Sequence, residues 1–138
     1  MQNNTMKKIA LVVEDEPVIG LVCRRTLMAE GYEVDIAMNG LIGKQMADMK
    51  SYDLCLSDIR TPGMNGIELY RYLEQAHPDL ARKVIFTTGD ILSGNIEEFL
   101  NEVKRPYLAK PFAPDELATV VRKQQRKAMV TALETNDK

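Results

Sequence analysis

Five short apolar runs, each closed by polar or turn-forming residues, alternate along the chain with stretches whose apolar positions recur at helical spacing. The run Lys8-Ile9-Ala10-Leu11-Val12-Val13 is rich in β-branched residues and uninterrupted, which predicts a central parallel strand covered on both faces. It ends in Glu14-Asp15-Glu16-Pro17, and Pro17 suits the first turn of a helix. Ile19, Val22, Cys23, Thr26 and Leu27 then carry a helical stripe until Gly31 supplies a stop. Tyr32 to Ala37 alternates as a strand, Asn39-Gly40 turns the chain, and Ile42, Met46 and Met49 form a sparse helical stripe. Asp53 to Ser57 predicts the third strand, and the Pro62-Gly63-Met64-Asn65-Gly66 cluster follows close behind it. Leu69, Tyr70, Leu73 and Ala76 mark another amphipathic helix, closed by His77-Pro78. Lys83 to Thr88 is the fourth strand, and a short helix carries Ile96, Phe99, Leu100 and Val103. Pro106 opens a brief last strand, Tyr107-Leu108-Ala109, ended by Lys110-Pro111-Phe112. The last helix starts at Pro114 with Asp115 and Glu116, its inner face made by Leu117, Val120 and Val121. Strands and helices alternating five times predict a doubly wound α/β domain with a parallel sheet and right-handed crossovers.

Length and charge narrow the field. A chain of 138 residues is near the commonest domain size, so one domain is expected. The formal net charge of -2 gives no basic surface for nucleic acid. Arg122, Lys123, Arg126 and Lys127 read as the solvated C-terminal end of the last helix, where cations favour its dipole, rather than a binding patch. Residues 1–6 read as a polar overhang, with Met6 as an original start, residues 7–127 as the domain, and residues 128–138 as a helix extension or frayed tail. Neither signal peptide nor membrane span is expected, and Cys23 and Cys55 read as buried reduced thiols, which points to a cytoplasmic protein.

Candidate chemistry sits at the strand ends. Glu14 and Asp15 follow the first strand, Asp58 the third, Thr88 ends the fourth and Lys110 follows the fifth. In an open parallel sheet, ligands bind outside the carboxyl ends of the strands, so these groups are expected to converge. Three carboxylates repel one another unless a cation intervenes, and hard oxygen donors suit Mg²⁺. Such an ion would neutralise a phosphoryl group, with Lys110 and the Thr88 hydroxyl as donors and Asp58 as the nucleophile forming an aspartyl phosphate.

With these residues in hand, the chain resembles the receiver domain of two-component response regulators over Lys7 to Arg126. The motifs are V-V-E-D-E with Glu14 and Asp15, D-I-R-T-P-G-M-N-G with Asp58, F-T-T-G with Thr88 and Y-L-A-K-P-F with Lys110. The resemblance implies a flavodoxin-like receiver fold, five parallel strands in the order 2-1-3-4-5 with five helices. It implies that Asp58 accepts a phosphoryl group from a histidine kinase or a histidine phosphotransfer protein. It implies Mg²⁺ (or Mn²⁺) held by Asp15, Asp58 and the backbone carbonyl of Arg60, with Glu14 acting through water. Thr88 and Tyr107 are then the switch, remodelling the face made by the fourth predicted helix, the last strand and the last helix. A cis Lys110-Pro111 bond is also implied, and Arg60 and Asp90 are placed beside the phosphoryl group, where an ion pair between them would slow attack by water.

Thr61 and Gly89 depart from the family's usual bulky apolar residue and alanine, and Arg105-Pro106 replaces a usual Gly-Ala. The segment after the fourth strand looks more like receivers of hybrid histidine kinases. Function is therefore expected to be that of a stand-alone phosphoacceptor, a monomer or a phosphorylation-dependent homodimer, and not an enzyme beyond slow self-phosphorylation and self-dephosphorylation. The alternative is a receiver-like module acting through protein contacts without phosphorylation. A flavin site is disfavoured by the acids after the first strand. A phosphatase or mutase is disfavoured because Arg60 stands where such enzymes carry a second acid. His77, before Pro78, is expected to be a loop residue.

Overall fold

The computed structural model describes residues 7–89 and 93–136. Five parallel strands form one sheet in the order β2-β1-β3-β4-β5. They are β1 (Lys8–Val13), β2 (Tyr32–Ala37), β3 (Leu54–Asp58), β4 (Val84–Thr88) and β5 (Tyr107–Ala109). The helices are α1 (Pro17–Ala29), α2 (Gly40–Met49), α3 (Gly66–Ala76), α4 (Pro78–Ala81), α5 (Gly94–Val103) and α6 (Pro114–Asn136). The order matches the expectation, but the helix count does not. Among the described residues six helices are present, because Pro78, preset for a first helical turn, starts the four-residue α4 immediately after α3. His77 is the joint between the two, and its Nε2 lies 2.7 Å from Asp48 Oδ1, which ties the ends of α2 and α3 together.

Alternate residues of each strand enter different cores. Leu11, Val13, Cys55, Val84 and Phe86 pack with Leu69, Leu73, Ile96 and Phe99 from α3 and α5. Ala10, Val12, Leu54, Leu56 and Ile85 pack on the other face with Cys23 and Leu27 of α1 and Leu117 and Val121 of α6. Cys23 and Cys55 are free and buried, and burial pushes both thiols up to about 12. The thiolate is the nucleophile, so neither cysteine is expected to react with iodoacetamide at neutral pH unless denaturant is added. Alkylation of the native chain in minutes, read by intact mass, would contradict the packing described.

Two helices depart from the periodicity reading. In α2 the buried positions are Gly40, Gly43 and Ala47, while Ile42 and Met49 are exposed and only Met46 of the expected stripe packs partly against the core. The helix approaches β1 closely: a Cβ on Gly43 would lie 3.0 Å from Val13 Cγ2, so small residues and not large ones face inward. In α6 the helix runs on to Asn136, so Arg122, Lys123, Arg126 and Lys127 lie in mid-helix and not at a dipole-favoured end. Arg122 pairs through Nη2 at 2.8 Å with Glu30, the C-cap of α1.

Arg105, the departure before β5, has a structural role. Its Nε donates to the Val84 carbonyl at 2.9 Å and its Nη2 to Gln124 Oε1 at 2.6 Å, so one half-buried guanidinium joins β4 to α6. Pro106 keeps its carbonyl for the Phe86 N–H at 3.0 Å.

Candidate functional site

The site forms where the carboxyl ends of β1, β3, β4 and β5 lie side by side. Register pairs Val13 with Ser57, Asp58 with Thr87, and Thr88 with Ala109, so residues far apart in sequence share one edge. Asp58 closes β3 and is 5 % exposed, and Glu14, just past β1, is 3 % exposed. Asp15 is half-buried and Glu16 exposed. The Lys110-Pro111 peptide bond is cis, as the resemblance implies.

Lys110 joins the cluster from β5. Its ammonium lies 2.9 Å from Asp58 Oδ2, 3.0 Å from Glu14 Oε1 and 3.4 Å from Glu16 Oε1. Burial opposes the charge on Lys110, but hydrogen bonds to Asp58 and Glu14 outweigh it and hold the ammonium well above its ordinary range. Glu14 moves the other way for a carboxylate: burial raises it, with the Asp58 charge adding and the Lys110 contact opposing. Glu14 also accepts the Glu16 N–H at 3.2 Å. The Glu16 contact to Lys110 is an addition to the residues expected from sequence, where Glu16 is read only as part of an acidic run.

The loop after β3 is fixed by hydrogen bonds that begin at Asp58 itself. Asp58 Oδ1 accepts the Arg60 N–H at 3.2 Å, which turns the Arg60 backbone at the carboxylate. Thr61 is buried, and its hydroxyl donates to the Met64 carbonyl at 2.9 Å across the Pro62-Gly63 turn, where Gly63 has φ +69. The Thr61 hydroxyl thus pins the turn that follows Asp58. Asn65 and Glu68 form a capping box at the start of α3, each side chain accepting the other's backbone N–H at 2.9 Å. That Asn-x-x-Glu spacing was legible in the sequence. Gly66 and Gly40 hold the loop from two sides: a Cβ on Gly66 would lie 2.6 Å from the Asp58 carbonyl oxygen, and one on Gly40 only 2.0 Å from that of Met64.

Beside Asp58 opens a cleft of about 410 Å³, lined by Asp15, Arg60, Thr61 and Asn65 and on its far side by Asn95 and Ile96 of α5. Thr88 is fully buried at the end of β4, and Tyr107 of β5 is 44 % exposed. Asp90 lies outside the described residues. The structure therefore brings Glu14, Asp15, Asp58, Arg60, Thr88 and Lys110 to one edge and leaves Tyr107 on the adjoining outer face.

The donor set suits a hard divalent cation. Carboxylate oxygens of Glu14, Asp15 and Glu16 all lie within 4.8 Å of one another. Four carboxylates, those three and Asp58, gather around an ammonium that reaches three of them, so negative charge is in excess. Oxygen-only ligands and excess negative charge are what Mg²⁺ requires. Among the described residues no buried side-chain nitrogen or oxygen lacks a partner, which makes Lys110 the built-in counterion of the cluster.

Comparison with known proteins agrees with this geometry. The family model for the response regulator receiver domain matches residues 10–122. The transcriptional regulatory protein CusR of Escherichia coli is 34 % identical over 125 residues, covering 91 % of this chain and 54 % of that protein. The aerobic respiration control sensor protein ArcB of the same species is 33 % identical over 115 residues, covering 82 % of this chain and 14 % of that one. The chain spans about half the length of the curated regulators it matches, and less of the sensor kinases. Among solved structures, the receiver domain of a sensor histidine kinase from Pseudomonas aeruginosa PAO1, with magnesium coordinated in its active-site cleft, has 29 % identity and a TM-score of 0.75. That match covers 86 % of this chain and 98 % of the other. Among the described residues no helix is long and apolar enough to cross a membrane.

Proposed function

Since the chain belongs to the response regulator receiver domain family of two-component systems, we propose that residues 7–127 accept a phosphoryl group on Asp58 from the phosphohistidine of a histidine kinase or phosphotransfer protein. A carboxylate oxygen of Asp58 attacks phosphorus, the P–O bond forms as the P–N bond breaks, and the imidazole leaves. The observation that carries this reading is the Lys110 ammonium held 2.9 Å from Asp58 Oδ2 and 3.0 Å from Glu14 Oε1. It suppresses repulsion between the acids before transfer and stands beside the atom that gains the phosphoryl group. Asp15, Asp58 and the Arg60 carbonyl, with Glu14 through water, would hold a divalent ion, which would supply charge neutralisation for the incoming phosphoryl oxygens.

Thr88, one residue beyond the register partner of Asp58 on β4, is the second donor and the switch. Its movement is passed to Tyr107, and the face of α5, β5 and α6 changes shape for a downstream protein. The chain signals and does not turn over substrate, and it works in the cytoplasm, free-standing or as part of a longer regulator or kinase.

Acetyl phosphate with Mg²⁺ tests the assignment by intact mass. The native chain is expected to gain one phosphoryl adduct, lost with EDTA and lost in Asp58→Asn. No adduct, under conditions that modify another receiver, would favour a module that binds partners without phosphorylation.

A further inference from the structure

The distal part of α6 carries an apolar face that turns away from the domain. Leu117, Val121 and Gln124 point inward, while Arg126, Val130 and Leu133 follow one another four and three residues apart on the opposite side of the helix. Met129, Val130 and Leu133 are 65 %, 52 % and 59 % exposed. Three large apolar side chains this exposed on one face of a helix call for a partner. The charges flanking it are of opposite sign: Arg126 and Lys127 precede the apolar residues and Glu134 follows them. Among the described residues none of these three has an ion-pair partner.

We propose that the distal half of α6 pairs with the same segment of a second copy of this chain in antiparallel orientation. Val130 then sits near the two-fold axis, with Arg126 and Glu134 each about 6 Å along the helix on either side of it. The two-fold sets Arg126 and Lys127 of each chain beside Glu134 of the second copy, and Met129, Val130 and Leu133 close the seam. An isologous contact must be self-complementary, and a patch with base at one end and acid at the other meets that condition only when antiparallel. A parallel pair would set Arg126 beside Arg126. The same basic-apolar composition also suits an anionic membrane surface, but Glu134 beside the apolar residues opposes that occupant. Lys127 also borders the groove between α5, β5 and α6, but Met129, Val130 and Leu133 lie beyond that groove and far along the helix from Asp58, so pairing is expected without a phosphoryl group.

Sedimentation velocity of the full chain, without phosphodonor and repeated with Asp58→Asn, is the test. A concentration-dependent monomer–dimer equilibrium is expected for both. Leu133→Glu should give monomer at every concentration while its circular dichroism and urea midpoint remain native, because Leu133 is 59 % exposed and belongs to neither core cluster. The pair Arg126→Glu/Lys127→Glu should weaken the dimer roughly tenfold, and adding Glu134→Lys should restore it. A native chain that stays monomeric, a dimer indifferent to Leu133→Glu, or a charge swap that fails to restore pairing would overturn the proposal. So would co-sedimentation of the native monomer with vesicles containing phosphatidylserine, lost in Leu133→Glu.

Discussion

Lys110→Met in EDTA is expected to lose about 3 kcal/mol of stability at neutral pH, because two buried carboxylates are left facing each other with no ammonium between them. The side chains of Glu14 and Asp58 are 3 % and 6 % exposed, too dry for solvent to replace the counterion fully. The effect has a pH signature. Burial already raises Glu14 above its ordinary 4.5, so the folded state favours its protonated form. That contribution is fully present below about 4.5 and is lost as pH rises through the folded value. Lys110 opposes the raise, so its removal enlarges it, and Lys110→Met should lose more stability between pH 5 and pH 8 than the native chain loses. Urea unfolding at the two pH values reads the difference, and millimolar Mg²⁺ should restore part of it. An equal loss at both would mean that packing of the lysine stem, not charge, is what the substitution removes.

The second large effect is steric. Gly40→Ala places a Cβ 2.0 Å from the Met64 carbonyl oxygen and 2.8 Å from its carbon, and backbone on both sides has to give way. The same oxygen accepts the Thr61 hydroxyl at 2.9 Å, so the clash also pulls apart the turn that follows Asp58. A cost of about 3 kcal/mol is expected from overpacking against backbone, or a drop of about 10 °C in Tm for a domain of this size. Phosphoryl adduct formation should slow with it. Gly43→Ala is the control: its Cβ meets side chains and no backbone, Val13 Cγ2 at 3.0 Å and Leu69 Cδ2 at 3.5 Å, which move more easily, and a loss of about 1 kcal/mol is expected. If Gly40→Ala is the milder of the two by calorimetry, the loop is not held in the way described.

What the sequence reveals of this protein depends on how local each signal is. Strand ends are local: Glu14, Asp58, Thr88 and Lys110 each close or follow an apolar run, and the parallel topology brings them together at one edge. The inner face of α2 is not local, since Gly40 and Gly43 face inward only because β1 and the loop before α3 come so close. Hydrophobic periodicity favours Ile42 and Met49 there and is misled. The Thr61 hydroxyl bond, the Arg105 bridge and the Glu16 contact with Lys110 each join groups whose meeting depends on the folded chain. The four residues of α4 carry too short a pattern to register as a helix at all.

The short last strand has one more consequence. β5 stands at the edge of the sheet and offers three residues of backbone, with Pro106 before it and Pro111 soon after, neither carrying an N–H. An extended peptide seeking to add itself to the sheet there finds too little ladder to grip. The side of the domain that carries Tyr107 is thereby guarded against edge-to-edge aggregation, and a partner must recognise it through side chains and not by lengthening the sheet.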